Sequence, residues 1–282
     1  SRAVEHRERK RPQLADLREC LVGDTLILMA ETGELRKIKN LVGKSGFKVF
    51  SLDKDNKLTV SKVKAAINSG QKKIYSLSTQ SGRTIRCSLN HPFYTLTGWQ
   101  KLENLKEDEY IAIPRDLPVD TKIRPKLLNT EAKIRLLGHM LGDGSFISRR
   151  ILQYTSINSK NLEQVSMDAK NSFAVKTRIV KERNWYQVYF TSVRRVSKNY
   201  RNPMAQWLDD LGIWGLRSPQ RFVPGEVFLL PLDDIKLFLR HLWATDGCVW
   251  IDGNQARVKI YYASASKILA NNVQSLLLRC GI

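Results

Sequence analysis

The sequence predicts a mixed architecture, an all-β part followed by an α+β part. Three observations carry this: short β-rich runs crowd residues 20–115, a proline-rich stretch follows at 114–125, and helical periodicity begins beyond it. A chain of 282 residues has room for about two ordinary domains. The predicted divisions are a tail at 1–19, a β domain at 20–117 and an α+β domain at 118–282.

Element by element, DTLILMA, FKVFSL, LTVSKVKAAI, KIYSLST, RTIRCS and YIAIPR read as strands, separated by Gly, Asn, Asp and Lys. PRDLPVDTKIRPK, with three prolines, reads as a linker. From Glu131 to Leu141, Ile134, Leu137 and Leu141 with Leu136 and Met140 recur at helical spacing. Asp233 to Ala244 repeats the pattern with Ile235, Phe238, Leu239 and Leu242. TRIVKE and WYQVYFT lie between as strands, so helix and strand alternate.

Charge points to a partner. Lys plus Arg number 47 against 27 Asp plus Glu, a net +20, which suits a polyanion such as nucleic acid. The excess is +2 over 1–19, +6 over 20–117 and +12 over 118–282, so the last part should carry the binding surface. Lys176, Arg178, Lys181, Arg183, Arg194, Arg195, Lys198 and Arg201 lie in one stretch holding a single acid, Glu182. Lys176 and Arg178 alternate along a strand, which would make one face of a β-ribbon basic. Trp185, Tyr186 and Tyr189 interleave with them and are expected to pack in the core. No apolar run reaches the roughly 18 residues of a membrane span, and the charged N-terminal stretch is no secretory signal. Four scattered cysteines form neither a zinc spacing nor a dense disulfide framework, which fits a cytoplasmic setting.

The α+β part contains a repeat. LLGHMLGDGSF and LRHLWATDGCV both end helices in Asp-Gly, at Asp143-Gly144 and Asp246-Gly247, and are followed by YTSINSKNLEQV and YYASASKILANNV. A unit of about 105 residues is duplicated, with the second copy shorter, which predicts two pseudo-symmetric halves and an incomplete C-terminal one. Asp-Gly alone is an ordinary helix stop with Gly as the C′ residue. Two copies on duplicated helices put two carboxylates at helix ends where the dipole is already negative. A cation between them would relieve the repulsion, and hard oxygen ligands suit Mg²⁺.

LLGHMLGDG at 136–144 resembles the LAGLIDADG helix of homing endonucleases, and LRHLWATDG at 239–247 resembles its partner. The resemblance implies two helices packed along a pseudo-twofold axis, with Gly138 and Gly142 allowing close approach. It implies that Asp143 and Asp246 hold the divalent ions, Mg²⁺ here, that cut double-stranded DNA. His241, where a small residue is usual, is expected to loosen that packing. SPQRFVP at 218–224 is similar to the family segment that carries a catalytic Lys, with Arg221 in its place. Arg can stabilise negative charge but cannot act as a base.

Cys20 opens CLVGDTLI, and GRTIRCSLNHPFY at 82–94 contains Ser88-x-x-His91. In this order, with IAIPR at 111–115, they resemble the N-terminal splicing blocks of inteins. That implies an all-β Hint-type horseshoe with Cys20 as nucleophile on the Glu19 carbonyl, His91 as the proton donor to the Cys20 nitrogen and Ser88 as a hydrogen-bonding partner, with Asn90 assisting. A terminal His-Asn pair is absent from the sequence, so the splicing residues at the C-terminal side are expected elsewhere. KRPQLADLRE at 10–19 is similar to bacterial replicative helicases of the DnaB type, which implies host exteins in cis; no P-loop motif occurs. The resulting expectation is a monomeric intein with a homing endonuclease insert, hosted by a replicative helicase. The alternatives are a DNA-binding module that no longer cuts, and a helicase fragment only.

Overall fold

The computed structural model describes residues 19–119, 121–148, 150–197, 200–252 and 257–282. The strands are β1 Leu26–Leu28, β2 Leu35–Lys37, β3 Lys48–Leu52, β4 Leu58–Lys62, β5 Tyr75–Ser78, β6 Thr84–Cys87, β7 Pro92–Thr95 and β8 Gly98–Lys101, then β9 Gly144–Ser145, β10 Gln153–Ser156, β11 Val175–Lys181, β12 Tyr186–Ser192, β13 Gly247–Asp252 and β14 Arg257–Tyr262. The α-helices are α1 Glu131–Asp143, α2 Ser159–Ser172, α3 Pro203–Asp210, α4 Gly225–Phe228, α5 Leu232–Asp246 and α6 Lys267–Arg279. The fold is therefore mixed, β-rich first and α+β after. The chain divides into two compact units. One holds the residues up to Ile27 with Arg36–Val49 and Ser61–Pro114; the other holds Leu28–Leu35, Phe50–Val60 and Arg115–Ile282. No helix among the described residues is long and apolar enough to cross a membrane.

The β unit is built of short antiparallel pairs. β5 pairs with β6 from Tyr75↔Cys87 to Ser78↔Thr84. β7 pairs with β8 through a tight turn closed by Gly98, whose φ of +99° favours glycine. Leu21 bridges Cys87, and the Val22 N–H donates to the Arg86 carbonyl at 3.1 Å, so the segment beginning at Cys20 lies along β6. YIAIPR departs from its reading as a strand. Among the described residues it makes the bridge Thr95↔Ile111 and one bond from the Ala112 N–H to the Tyr94 carbonyl, and Pro114 has no N–H to continue the ladder. Sequence reading also missed β2, β7 and β8, which are three or four residues each and too short to show a period.

The supposed linker is docked. Val119 is buried, Thr121 Oγ1 donates to the Leu230 carbonyl at 2.7 Å, and Arg124 holds Asp234 by two bonds of 2.6 and 2.8 Å. The prolines keep this segment extended, and its side chains, which proline punctuation does not reveal, anchor it to the α+β unit.

In the α+β unit, four strands run in the order β11-β12-β10-β9, all neighbours antiparallel. α1 and α2 cover one face. Ile134, Leu137, Leu141, Tyr154, Val165, Val188, Phe190, Phe238 and Leu242 meet there in one buried cluster. The duplication predicted from the repeat is present element for element: α1-β9-β10-α2 is matched by α5-β13-β14-α6. The registers agree as well. Tyr154 on β10 faces Gly144, and Tyr262 on β14 faces Gly247. Both following helices take a polar side chain as N-cap, Asn158 for α2 and Ser266 for α6.

α1 and α5 approach at backbone distance. A Cβ on Gly138 would sit 2.9 Å from the Leu242 nitrogen, 2.9 Å from the Phe238 oxygen and 3.0 Å from the His241 Cβ. His241 therefore does not loosen the pair as expected. Its ring turns into the seam, where Nδ1 lies 2.9 Å from His139 Nε2, while His139 Nδ1 lies 3.2 Å from the Tyr154 hydroxyl. The polar chain closes when Tyr154 donates to His139 and His139 donates to His241. Burial depresses both imidazoles, His139 to about 3 and His241 to about 4, so both are neutral at pH 7. Gly138→Ala is expected to destabilise the protein by about 1–3 kcal/mol, because its new methyl meets backbone atoms that cannot turn aside. Gly142→Ala should cost at least as much, since its methyl would overlap Thr245 Oγ1 and lie 2.5 Å from Thr245 Cβ, which the α5 backbone holds in place. Urea unfolding of the two variants checks the order.

Candidate functional sites

Two sites emerge, one in each unit. In the β unit, Cys20 is gripped from both sides by Ser88. The Cys20 N–H donates to Ser88 Oγ at 2.9 Å, and the Ser88 N–H donates to the Cys20 carbonyl at 3.0 Å. Ser88 is buried and follows directly on β6, so strand pairing fixes its position. The same turn brings in His91, whose N–H donates to the Ser88 carbonyl at 3.0 Å. The His91 ring stands edge-on to Phe93 at 5.4 Å, and its buried Nδ1 has no hydrogen-bond partner. Burial lowers its pKa, so the ring is neutral at pH 7. Ser88 accepts the amide proton of the Glu19–Cys20 peptide. Sequence reading missed Ser69, whose Oγ lies 2.9 Å from Cys20 Sγ. Forty-nine residues separate them, and nothing local marks that serine.

In the α+β unit, Asp143 and Asp246 are the last residues of α1 and α5. The glycines that follow are not left-handed stops: Gly144 has φ −75° and Gly247 φ −83°. They are needed for room. A Cβ on Gly144 would meet the Met140 oxygen, and one on Gly247 would meet the Trp243 ring. Asp143 is pushed up to about 6, first by burial, then by the Asp246 charge, against the pull of Arg221. Burial also raises Asp246, and Arg221 again opposes it.

Arg221 is buried and faces inward. Its Nη1 donates to the Leu141 carbonyl at 2.7 Å and to that of Gly142, and its Nη2 donates to that of Gly144. It thereby binds carbonyls at the C-terminal end of α1, where a cation complements the helix dipole. Its own carbonyl accepts from Ser266 Oγ at 2.6 Å, tying it to the start of α6. A cavity of about 300 Å³ lies here, lined by Arg221, Asp246, Ser218, Ser264 and residues around them.

The basic stretch follows β11 and β12. Lys176 and Arg178 lie on the face of β11 opposite buried Val175, beside Tyr189, Gln187 and Thr191 of β12. The Arg178 guanidinium stacks 5.2 Å from the Tyr189 ring centre. Tyr189 therefore belongs to the basic face and not to the core, as expected of it; Tyr186 does pack against the core, and Trp185 is over a third exposed. Lys181 has the other strand phase, Arg183 sits in the β11–β12 turn, and Arg194 and Arg195 are exposed beyond β12. Arg201 pairs with Asp209 at 2.7 Å and stacks on Trp214. Lys198 lies outside the described residues.

Comparison with known proteins gives these sites a family. The LAGLIDADG-like domain matches residues 233–282, which include all of α5 but its first residue, and Asp246. Replicative DNA helicase DnaB of Nostoc sp. is 44% identical over the whole of this chain and 32% of its own length; that of Synechocystis sp. is 43% identical over 33% of its length. The chain thus spans about a third of the curated relatives it matches. A crystal structure of an Ssp DnaB mini-intein variant is 39% identical, covering 35% of this chain and 62% of its own, with a TM-score of 0.34. The intein splicing domain matches residues 27–207, more than half of the sequence, and on that match the chain belongs to the intein splicing domain family.

Proposed function

We propose that this chain carries out the first step of protein splicing at Glu19–Cys20 and cuts double-stranded DNA with its inserted α+β unit. The observation that carries the first part is the two-way grip of Ser88 on Cys20, beside a neutral His91 with a buried free nitrogen. In the shift, the Cys20 sulfur bonds to the Glu19 carbonyl carbon as the carbon–nitrogen bond breaks. The thiol loses a proton and the leaving nitrogen gains one, so the step is an isomerisation with no co-reactant. Ser88 Oγ already holds the N–H of that nitrogen, which orients the peptide. His91, whose backbone N–H is bonded to the Ser88 carbonyl, is read as the group that relays the proton.

The endonuclease reading rests on Asp143 and Asp246 at equivalent ends of duplicated helices. Two half-buried, mutually repelling carboxylates are a hard oxygen donor pair, and no third His, Cys, Asp or Glu joins them among the described residues. Mg²⁺ is commonly held by one or two carboxylates plus waters and substrate phosphates, so these residues fit it. Such an ion, when bound, would activate water and neutralise charge on the phosphate. Arg221, a positioning residue in this reading, holds the end of α1 so that Asp143 is presented in place. The host in cis is a replicative helicase, and the intein part acts as a cytoplasmic monomer. A DNA-binding module that no longer cuts is the second reading; Arg221, whose guanidinium is bonded to backbone carbonyls where the family carries a catalytic Lys, favours it.

Lys176, Arg178, Arg183, Arg194 and Arg195 are read as phosphate and groove contacts, with Gln187 and Tyr189 available to base edges. Binding of a helicase-gene duplex lacking the insert should weaken as salt rises. Arg194→Ala/Arg195→Ala is expected to reduce the slope of log affinity against log salt by about 2, one unit per lost contact. An unchanged slope would place those residues off the duplex. Thiol-triggered release of residues 1–19 tests the splicing reading.

A further inference from the structure

We infer that Ser69 is a further catalytic residue of the splicing site, a hydrogen-bond donor to the Cys20 sulfur. The inference rests on the reading of Cys20 as nucleophile and adds a residue that the sequence motifs do not contain. Ser69 Oγ lies 2.9 Å from Cys20 Sγ. The position is imposed by local backbone chemistry. Asn68 Oδ1 accepts the Gly70 N–H at 3.0 Å, a turn closed by a side chain, and Gly70 adopts φ +77°. A Cβ at Gly70 would meet nothing within 4 Å, so the glycine serves backbone conformation and not packing. Asn-Ser-Gly is thus a turn that holds the hydroxyl at its middle residue toward the sulfur.

The other partners of Cys20 described above act on its backbone. Ser88 holds the amide N–H, while Ser69 addresses the atom that attacks. In the thiol form the S–H can donate to Ser69 Oγ, which fixes the direction of the sulfur. As the proton leaves, the serine hydroxyl turns and donates to the developing thiolate. A hydrogen bond to a charged acceptor is stronger than one to a neutral acceptor, so the contact strengthens along the reaction coordinate. The proton released goes to the relay at His91; Ser69 keeps its own.

The experiment uses the full chain and two readouts. The first is the rate of alkylation of Cys20 by iodoacetamide at fixed neutral pH, resolved from Cys87, Cys248 and Cys280 by peptide mass. The second is thiol-triggered release of residues 1–19. Ser69→Ala is expected to slow both by about three- to tenfold. That is less than the full worth of a charged hydrogen bond, because a less stabilised thiolate is also more nucleophilic. Ser69→Thr should restore both to within about threefold, and Ser69→Val, its isostere without the hydroxyl, should not. The Thr and Val pair decides the matter even if the Ala variant folds poorly. Alkylation of Ser69→Ala and Ser69→Val at the parent rate overturns the inference. Slowed release with unchanged alkylation also overturns it, since Ser69 would then act only on the peptide. If release persists in Cys20→Ala, the splicing reading fails by itself, while alkylation still reports whether the hydroxyl acts on the sulfur.

Discussion

Asp143→Asn and Asp246→Asn are each expected to abolish DNA cleavage while leaving binding of the duplex largely intact. Asparagine keeps the size and shape of the side chain and removes the charge. The cost should be at least about a hundred- to thousandfold in rate, the scale on which loss of one electrostatic stabiliser acts in an active site. A second effect should accompany it. Asp143 is half-buried next to the Asp246 charge at the negative end of a helix, and its pKa is raised to about 6. A carboxyl whose folded value lies above its unfolded value of 3.8 destabilises the fold at neutral pH. Between about pH 6 and 4 the folded state binds the extra proton, so acidification stabilises the protein through this group. Asp143→Asn should therefore raise the neutral-pH melting temperature and remove that dependence. Cleavage by the parent, in turn, should need more Mg²⁺ as pH falls through about 6, because the ion then has to displace the proton from Asp143. The measurements are a nicking assay with Mg²⁺ on a site lacking the insert, and thermal melts from pH 4 to 8. Double-strand cutting at the parent rate by either variant would remove that carboxylate from the mechanism. A parent that binds tightly and never cuts would favour the second reading.

Such a variant, dead and more stable, would mark the pair of aspartates as a site held at the expense of the fold. The rest of the unit supports that view. Arg221 places a buried cation on the end of α1, and its pull on both carboxyls opposes the push of burial. The family resemblance offers Arg221 as a stabiliser of negative charge in place of a catalytic Lys. Its guanidinium is instead spent on three backbone carbonyls, which a motif comparison cannot reveal, because a motif records residue type and not where the side chain points.

What was legible in the sequence follows from periodicity and repetition. α1 and α5 are readable because each presents an apolar stripe over three or more turns, and the repeat marks their ends as Asp143 and Asp246. β11 and β12 were readable as seven-residue strands. β7 and β8 were not, since four residues between Pro92 and Thr95 cannot establish an alternation. Tyr189 was assigned to the core because aromatics usually go there; its phase opposite Val188 and Phe190 puts it under Arg178 instead, and that phase was available in the sequence. Ser69 was not available at all. Its contact with Cys20 spans 49 residues and depends on a turn whose direction only the folded chain defines.

Cys20→Ala is expected to eliminate the release of residues 1–19 by added thiol, the largest effect on the splicing site. Release requires a thioester at Glu19, and only the sulfur of Cys20 can form it. The surrounding structure should survive the change. The backbone bonds that hold residue 20, its N–H to Ser88 Oγ and its carbonyl to the Ser88 N–H, do not involve the side chain. Loss of release with unchanged folding would therefore isolate the chemistry from the architecture. His91→Ala is expected to slow release by about a hundred- to ten-thousandfold, the range for a positioned proton-transfer group. Ser88→Ala removes the acceptor of the scissile N–H and should slow it less, because the strand pairing of Leu21 and Val22 with β6 still places the peptide. The order Cys20 over His91 over Ser88 follows from bond making, proton transfer and orientation in turn. Mass spectrometry of the products after incubation with thiol reads all three. Release from Cys20→Ala at the parent rate would show that the bond is broken by hydrolysis from outside, and the grip of Ser88 on Cys20 would then be only a way of anchoring the chain to β6.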